Sequence, residues 1–190
     1  MTEARLSSRT LSLALAALAL VSCNTAAVKK SYMSLDSEGN RRRTVFYTDT
    51  DTIYCVGELA LGRKDVSVEA SFRSTALATP KGDLVPIDAV LAVQDVSPGS
   101  TGSDVVVSFQ LLKLANPTGP WPAGKFACDL AIDGEFEASA PFEIQYPPCP
   151  FQPPVTGDTC AGFFLPKSTC PGAVSPQTCT CTDHGVWQCG

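Results

Sequence analysis

Cysteine is the residue type with the widest chemical reach in this chain. Cys23, Cys55, Cys128, Cys149, Cys160, Cys170, Cys179, Cys181 and Cys189 occur among 190 residues, and six of the nine crowd into residues 149–190. Three chemistries compete for them. Zinc would recruit Cys179, Cys181, His184 and Cys189, but structural zinc sites use C-x₂₋₄-C knuckles and "TCTC" offers C-x-C. Thiol exchange through Cys179-Thr180-Cys181 needs an exposed thiol of low pKa, and His184 is the one nearby group able to lower it. Disulfide formation needs only an oxidising compartment and an even count.

The other reactive side chains point away from catalysis. His184 is the single histidine, so any Ser-His-Asp or Cys-His arrangement must use it, and no Gly-x-Ser-x-Gly elbow occurs. Its neighbours Asp183 and Gly185 make it a turn residue. "YTDTDT" sets Asp49 and Asp51 two apart, without the glycine and distant glutamate of an EF-hand, and reads as the wet side of a strand. Arg41-Arg42-Arg43 forms a solvated cluster, with contact to anionic headgroups as the alternative. No catalytic residue, metal ligand or cofactor is assigned.

The elements that carry these residues begin with a segment outside the fold. Arg5 and Arg9 precede an apolar run over residues 11–21, "LSLALAALALV", which is too short to span a bilayer and reads as an export signal. Leu20-Val21-Ser22-Cys23 closes it and resembles the bacterial lipobox. That resemblance implies cleavage before Cys23, alkylation of its thiol by diacylglycerol and anchoring through covalent lipid, with removal of residues 1–22. Asn24, in place of aspartate, implies sorting to the outer membrane of a Gram-negative envelope. Removing Glu3, Arg5 and Arg9 takes the formal charge from −5 to −6, which argues against nucleic acid as a partner. With Cys23 lipidated, eight cysteines remain to pair.

Residues 23–43 lack apolar periodicity and read as a flexible tether. Across residues 44–146 the pattern has a period of two. Val66, Val68, Ala70 and Phe72 alternate with polar residues, as do Val105, Val107, Phe109 and Leu111, and then Phe126, Cys128, Leu130 and Ile132. This is the signature of half-buried antiparallel strands, about seven of them. Asp133-Gly134 suggests a two-residue hairpin loop, but that register would set Ile132 against Glu135 and Cys128 against Ser139, core residues facing polar ones. The apolar pattern favours Ile132 opposite Phe136, Leu130 opposite Ala138 and Phe126 opposite Phe142, through a loop over residues 133–135 or a bulge beside it.

Strands of this number suggest a two-sheet sandwich. Cys55 in the second strand and Cys128 in the next to last resemble the inter-sheet disulfide of an immunoglobulin-like domain, and the resemblance implies that they pair. Residues 147–154, "PPCPFQPP", read as a proline-rich linker overlapping the start of a cysteine-rich module over residues 149–190. There Cys149, Cys160, Cys170, Cys179, Cys181 and Cys189 allow 15 connectivities. A hairpin turning at Asp183-His184-Gly185 sets Cys179 opposite Cys189, within bridging distance, and Cys181 opposite Trp187.

The succession of lipobox, β-rich domain and "CP…GDTC…STCPG…QTCTCTDHGVWQCG" resembles uncharacterised lipoproteins of myxobacteria-like Gram-negatives. The function expected is a non-enzymatic binding or scaffolding module of the cell envelope, acting on an unknown envelope protein or glycan. One alternative is a protease-inhibitor-like module presenting residues 156–168, and another is an exported thiol oxidoreductase.

Overall fold

A computed structural model describes residues 26–79, 81–112, 119–174 and 176–190. Leu20, Val21, Ser22 and Cys23 lie outside the described residues. Every regular element described is a strand: β1 (Ala27–Ser34), β2 (Val45–Tyr47), β3 (Tyr54–Leu61), β4 (Val68–Ala78), β5 (Leu84–Val96), β6 (Gly102–Gln110), β7 (Gly124–Ile132), β8 (Glu135–Gln145), β9 (Thr169–Pro171), β10 (Thr178–Cys181) and β11 (Trp187–Cys189). No helix among the described residues is long and apolar enough to cross a membrane.

Two sheets enclose the main core. One has the order β1-β3-β6 and the other β2-β8-β7-β4-β5. Their inward positions follow the period-two pattern: Val66, Val68, Ala70 and Phe72 are buried to within 1%. Cys55, Leu59, Val107 and Phe109 of the first sheet meet Phe72, Phe126, Cys128 and Leu130 of the second in one cluster. Phe126 stacks on Phe142, and Phe46 meets Phe142 edge-on. Burying side chains of this size is worth about 1.5–3 kcal/mol each, which holds the layers together.

The β7–β8 hairpin reconciles the two signals in its sequence. Asp133 and Gly134, with φ of 51° and 84°, form the two-residue turn that Asp-Gly favours. Ile132 therefore pairs with Glu135, which corrects the expected Ile132–Phe136 pair, and a bulge at Glu137 shifts the register so that Leu130 faces Ala138 and Phe126 faces Phe142. The apolar faces stay together because one extra residue absorbs the mismatch.

Residues 27–34 correct the reading of 23–43 as a tether. They form β1, paired along β3 from Ala27 opposite Ala60 to Ser34 opposite Tyr54. The following loop folds back as well, with Arg43 N donating to Met33 O at 3.0 Å and Leu35 N to Arg41 O at 3.1 Å. Polar residues can form this strand because β3 supplies the apolar face. "YTDTDT" is corrected likewise: Asp49 and Asp51 are exposed in a turn, fixed by Thr50 N donating to Tyr47 O at 2.9 Å.

The strand directions give the main unit two poles. Ala27, the loop over residues 62–67 and the Asp133-Gly134 turn lie at one, where Asp133 N donates to Ser67 O. Gln145, the 48–53 turn and everything after β8 lie at the other. There the second unit, a three-stranded sheet β11-β10-β9, holds its own cluster of Cys160, Phe164, Cys170, Cys179, Cys181 and Trp187. Residues 147–154 form no strand, yet they do not hold this unit apart. The buried Thr48 donates its Oγ1 to Phe163 O at 2.8 Å, joining the two.

Candidate functional site

The disulfides frame whatever the protein does. Cys55 and Cys128, fully buried, join β3 to β7 across the core, with Cα atoms 6.3 Å apart. In the tail, Cys179 pairs with Cys189 across the β10–β11 ladder, the register the hairpin predicts, and Cys181 lies opposite Trp187. The other two bridges are Cys149–Cys170 and Cys160–Cys181, a choice among connectivities that sequence left open. Trp187, 2% exposed, packs edge-on to Phe164 with ring centroids 5.4 Å apart. Four disulfides belong to an oxidising compartment outside the cytosol.

The pairing leaves no free thiol among the described residues. No group of three or more His, Cys, Asp or Glu able to hold a metal occurs there either. His184 is exposed at the hairpin tip, where Thr182 N donates to Val186 O at 2.9 Å.

The most organised cluster of charge lies where β1 ends and the chain crosses to β2. Arg42 lays its guanidinium over the Tyr32 ring, 3.7 Å from the centroid, and donates to Glu58 Oε1 at 2.9 Å. Tyr32 donates its hydroxyl to the same oxygen at 3.2 Å, and Lys30 Nζ lies 3.1 Å from Glu58 Oε2. A hydrogen bond from Lys30, helped by Tyr32 and Arg42, holds the Glu58 carboxyl below its usual range against the opposing effect of burial. Burial pushes the Tyr32 hydroxyl up.

Gly39 makes this closure feasible. Its φ is +74°, and a β-carbon there would sit 2.6 Å from the Tyr32 hydroxyl. The loop therefore lies on the ring as only glycine allows. Asp36 fixes the turn, its Oδ1 accepting from Asn40 N at 2.8 Å.

Beside the cluster a cleft of about 440 Å³ opens between β1 and the β2–β8 edge, lined by Tyr32, Arg42, Arg43, Thr44, Ala140 and Pro141 among others. Its chemistry is cationic and hydroxylic above an apolar floor. Arg42 is committed to Glu58, whereas the side chain of Arg43 makes no ion pair or hydrogen bond to the described residues. Sequence reasoning singled out the arginine triplet but not its partners, because Tyr32 and Glu58 reach it only through strand pairing.

A second polar network lies on the outer face of the larger sheet. Arg73 bridges Asp129 at 3.0 Å and Asp88 at 3.2 Å, and Ser139 donates to Asp129 at 2.6 Å. The Asp129 hydrogen bond, followed by that of Asp88, raises the Arg73 pKa. This network cross-links β4, β5, β7 and β8.

No protein-family model and no curated protein matches the chain. Among solved structures it is similar to the Pseudomonas fluorescens alkylpurine DNA glycosylase AlkC bound to DNA containing an abasic site analog, at 12% identity and a TM-score of 0.36. The match covers 63% of this chain and 30% of that one, a likeness too slight to bear on function.

Proposed function

We propose that the protein is a lipid-anchored, non-enzymatic binding module of the cell envelope, an immunoglobulin-like sandwich that carries a stapled tail. Its strand order supports the immunoglobulin-like reading. A parallel β2–β8 pair continues into β7-β4-β5, the facing sheet is β1-β3-β6, and one disulfide crosses between β3 and β7. The lipobox at Leu20-Val21-Ser22-Cys23 supports the anchor, and Asn24 supports the outer membrane.

An anchor at Cys23 leaves only Asn24, Thr25 and Ala26 before β1, so the Ala27 pole would face the membrane and the tail would face away. The arginine triplet lies beyond the far end of β1. Eight residues of strand, at ~3.3 Å each, put it about 25 Å from Ala27. That distance favours a ligand out in the envelope space over lipid headgroups.

The observation that carries the binding role is the cleft at Arg43, a guanidinium without a partner among the described residues, beside the paired Arg42–Tyr32–Glu58 cluster. It suits a carboxylate or phosphate borne by an envelope glycan or protein. Titrating the purified protein with glucuronate and with inorganic phosphate, followed by NMR shifts of arginine Nε–H groups, tests it. Arg43→Ala is expected to weaken binding about tenfold or more, the worth of a charge-assisted hydrogen bond. Absence of any shift at ~10 mM of either probe overturns the reading. Mass measurement of membrane-extracted protein tests the anchor separately, since an unmodified Met1 or Cys23 refutes it.

One observation favours the inhibitor-like alternative, on a different loop. Residues 156–168 pack inward through Cys160 and Phe164. Phe151, however, is fully exposed between prolines two residues after the Cys149 bridge, as an anchor for an aromatic-accepting pocket would be. Inhibition of a chymotrypsin-like protease that is lost in Phe151→Ala would favour this alternative.

A further inference from the structure

β5 does not behave as the sequence of an edge strand should. Among the described residues it pairs only with β4 and so borders the larger sheet. Natural edges carry lysines and few apolar side chains, which keeps other chains away. "LVPIDAVLAVQDV" holds no lysine or arginine, and its two acids are Asp88, tied to Arg73 at 3.2 Å, and Asp95. Leu84, Val85, Ile87, Val90, Leu91, Val93 and Val96 are each 38–59% exposed. The facing three-stranded sheet is too narrow to cover them. Gln94, opposite the buried Ala70, closes the seam instead by donating to Gln110 O on β6 at 2.7 Å.

Backbone pairing along this edge is obstructed. Pro86 has no N–H, and the β4–β5 register slips between Phe72 and Arg73 and again between Ser74 and Ala76, so the ladder is interrupted by bulges. What β5 offers a partner is therefore side chains. Their exposed fractions amount to roughly 450 Å² of aliphatic surface, the size of the largest patch on a typical monomer, which is often functional. A standard interface buries ~800 Å² per partner, a little over half of it apolar, which is about the same 450 Å². Apart from Asp88, which is paired with Arg73, and Asp95, the strand carries no charge that would select a dissimilar partner.

We propose that β5 is a self-association surface, on which two copies of this chain pack side by side about a two-fold axis through Leu84, Val85, Ile87, Val90, Leu91 and Val93. The contact is isologous, each copy burying the same strand. It is independent of the anchor and of the Arg43 cleft.

Sedimentation equilibrium tests it, on the chain from Asn24 onward, which holds every described residue and has its disulfides formed. The expected result is a monomer–dimer equilibrium with a Kd of order micromolar to tens of micromolar. Val90→Lys with Val93→Lys should raise that Kd at least about tenfold, since each lysine would be desolvated against the other copy's aliphatic side chains. Both positions face water in the monomer, so the thermal midpoint and the disulfide count should stay unchanged. Leu91→Glu serves as a second variant should the first misfold. A chain that stays monomeric at ~200 μM overturns the proposal, as does a dimer indifferent to these substitutions. Binding of the patch to phosphatidylcholine vesicles without self-association overturns it too.

Discussion

Replacing Cys55 and Cys128 together by alanine removes the disulfide that joins the two main sheets. The bridge closes a loop with a sequence separation of 73. On the chain-entropy treatment its loss frees the unfolded chain by about 4 kcal/mol at 25 °C. The folded side changes little by comparison, because Leu59, Phe72, Val107 and Leu130 remain to fill the core. A domain of ordinary stability, about 5–15 kcal/mol, survives such a loss but only just in the lower half of that range. With an m-value of ~2 kcal/mol/M, the urea midpoint should fall by about 2 M. Two tryptophans make the assay specific. Trp121 belongs to the main core and is held by its Nε1 donating to Thr50 O at 2.6 Å, whereas Trp187 belongs to the tail cluster. Fluorescence of single-tryptophan versions should therefore show the Trp121 transition moving far more than the Trp187 transition. A shift equivalent to less than ~1 kcal/mol at Trp121 would refute the idea that this bridge acts chiefly on the unfolded chain.

Other outcomes follow from particular contacts. Trp187→Ala should cost about 3–5 kcal/mol within the tail and open residues 149–190 to limited proteolysis while the main unit stays resistant, because it empties the centre of a small cluster. Gly39→Ala should destabilise by about 1–3 kcal/mol and loosen the Arg42–Tyr32 stack, seen as a changed Tyr32 ring shift by NMR. The Glu58 carboxyl is held below its usual pKa, so its contribution to stability is present above the ordinary glutamate range and disappears as pH falls through the lowered value. Thermal midpoints recorded from neutral to acid pH should thus decline in the wild type, and decline less steeply in Glu58→Gln.

Much of the framework was legible because it is written in periods and parity. Val66 to Phe72 alternate over a buried face, and any other assignment would have put Phe72 in water. The Cys179–Cys189 pairing followed from the length of one turn, since a hairpin register fixes which residues oppose each other. What stayed hidden depended on distant partners. β1 has no apolar period of its own and exists because β3 and β8 flank it. "LVPIDAVLAV" looks like an interior strand, yet it borders the sheet, and no local property of a sequence states how wide the facing sheet will be. The cleft is of the same kind: Arg42 and Arg43 were visible, but Glu58 lies across a strand pair and Gly39 matters only through Tyr32. Cys149–Cys170 and Cys160–Cys181 required the packing of Phe164 and Trp187, which spacing alone does not reveal.

The order of the four bridges also limits how far the protein can be pulled. A force between Ala27 and Gly190 meets Cys55, is handed to Cys128, and then passes through Cys149 to Cys170 and through Cys179 to Cys189. Even with every strand undone, the oxidised polypeptide reaches roughly two-fifths of its reduced contour, because the longest segment sits inside a closed loop. The molecule is thereby a leash whose greatest reach the bridges cap, even after its strands have come apart.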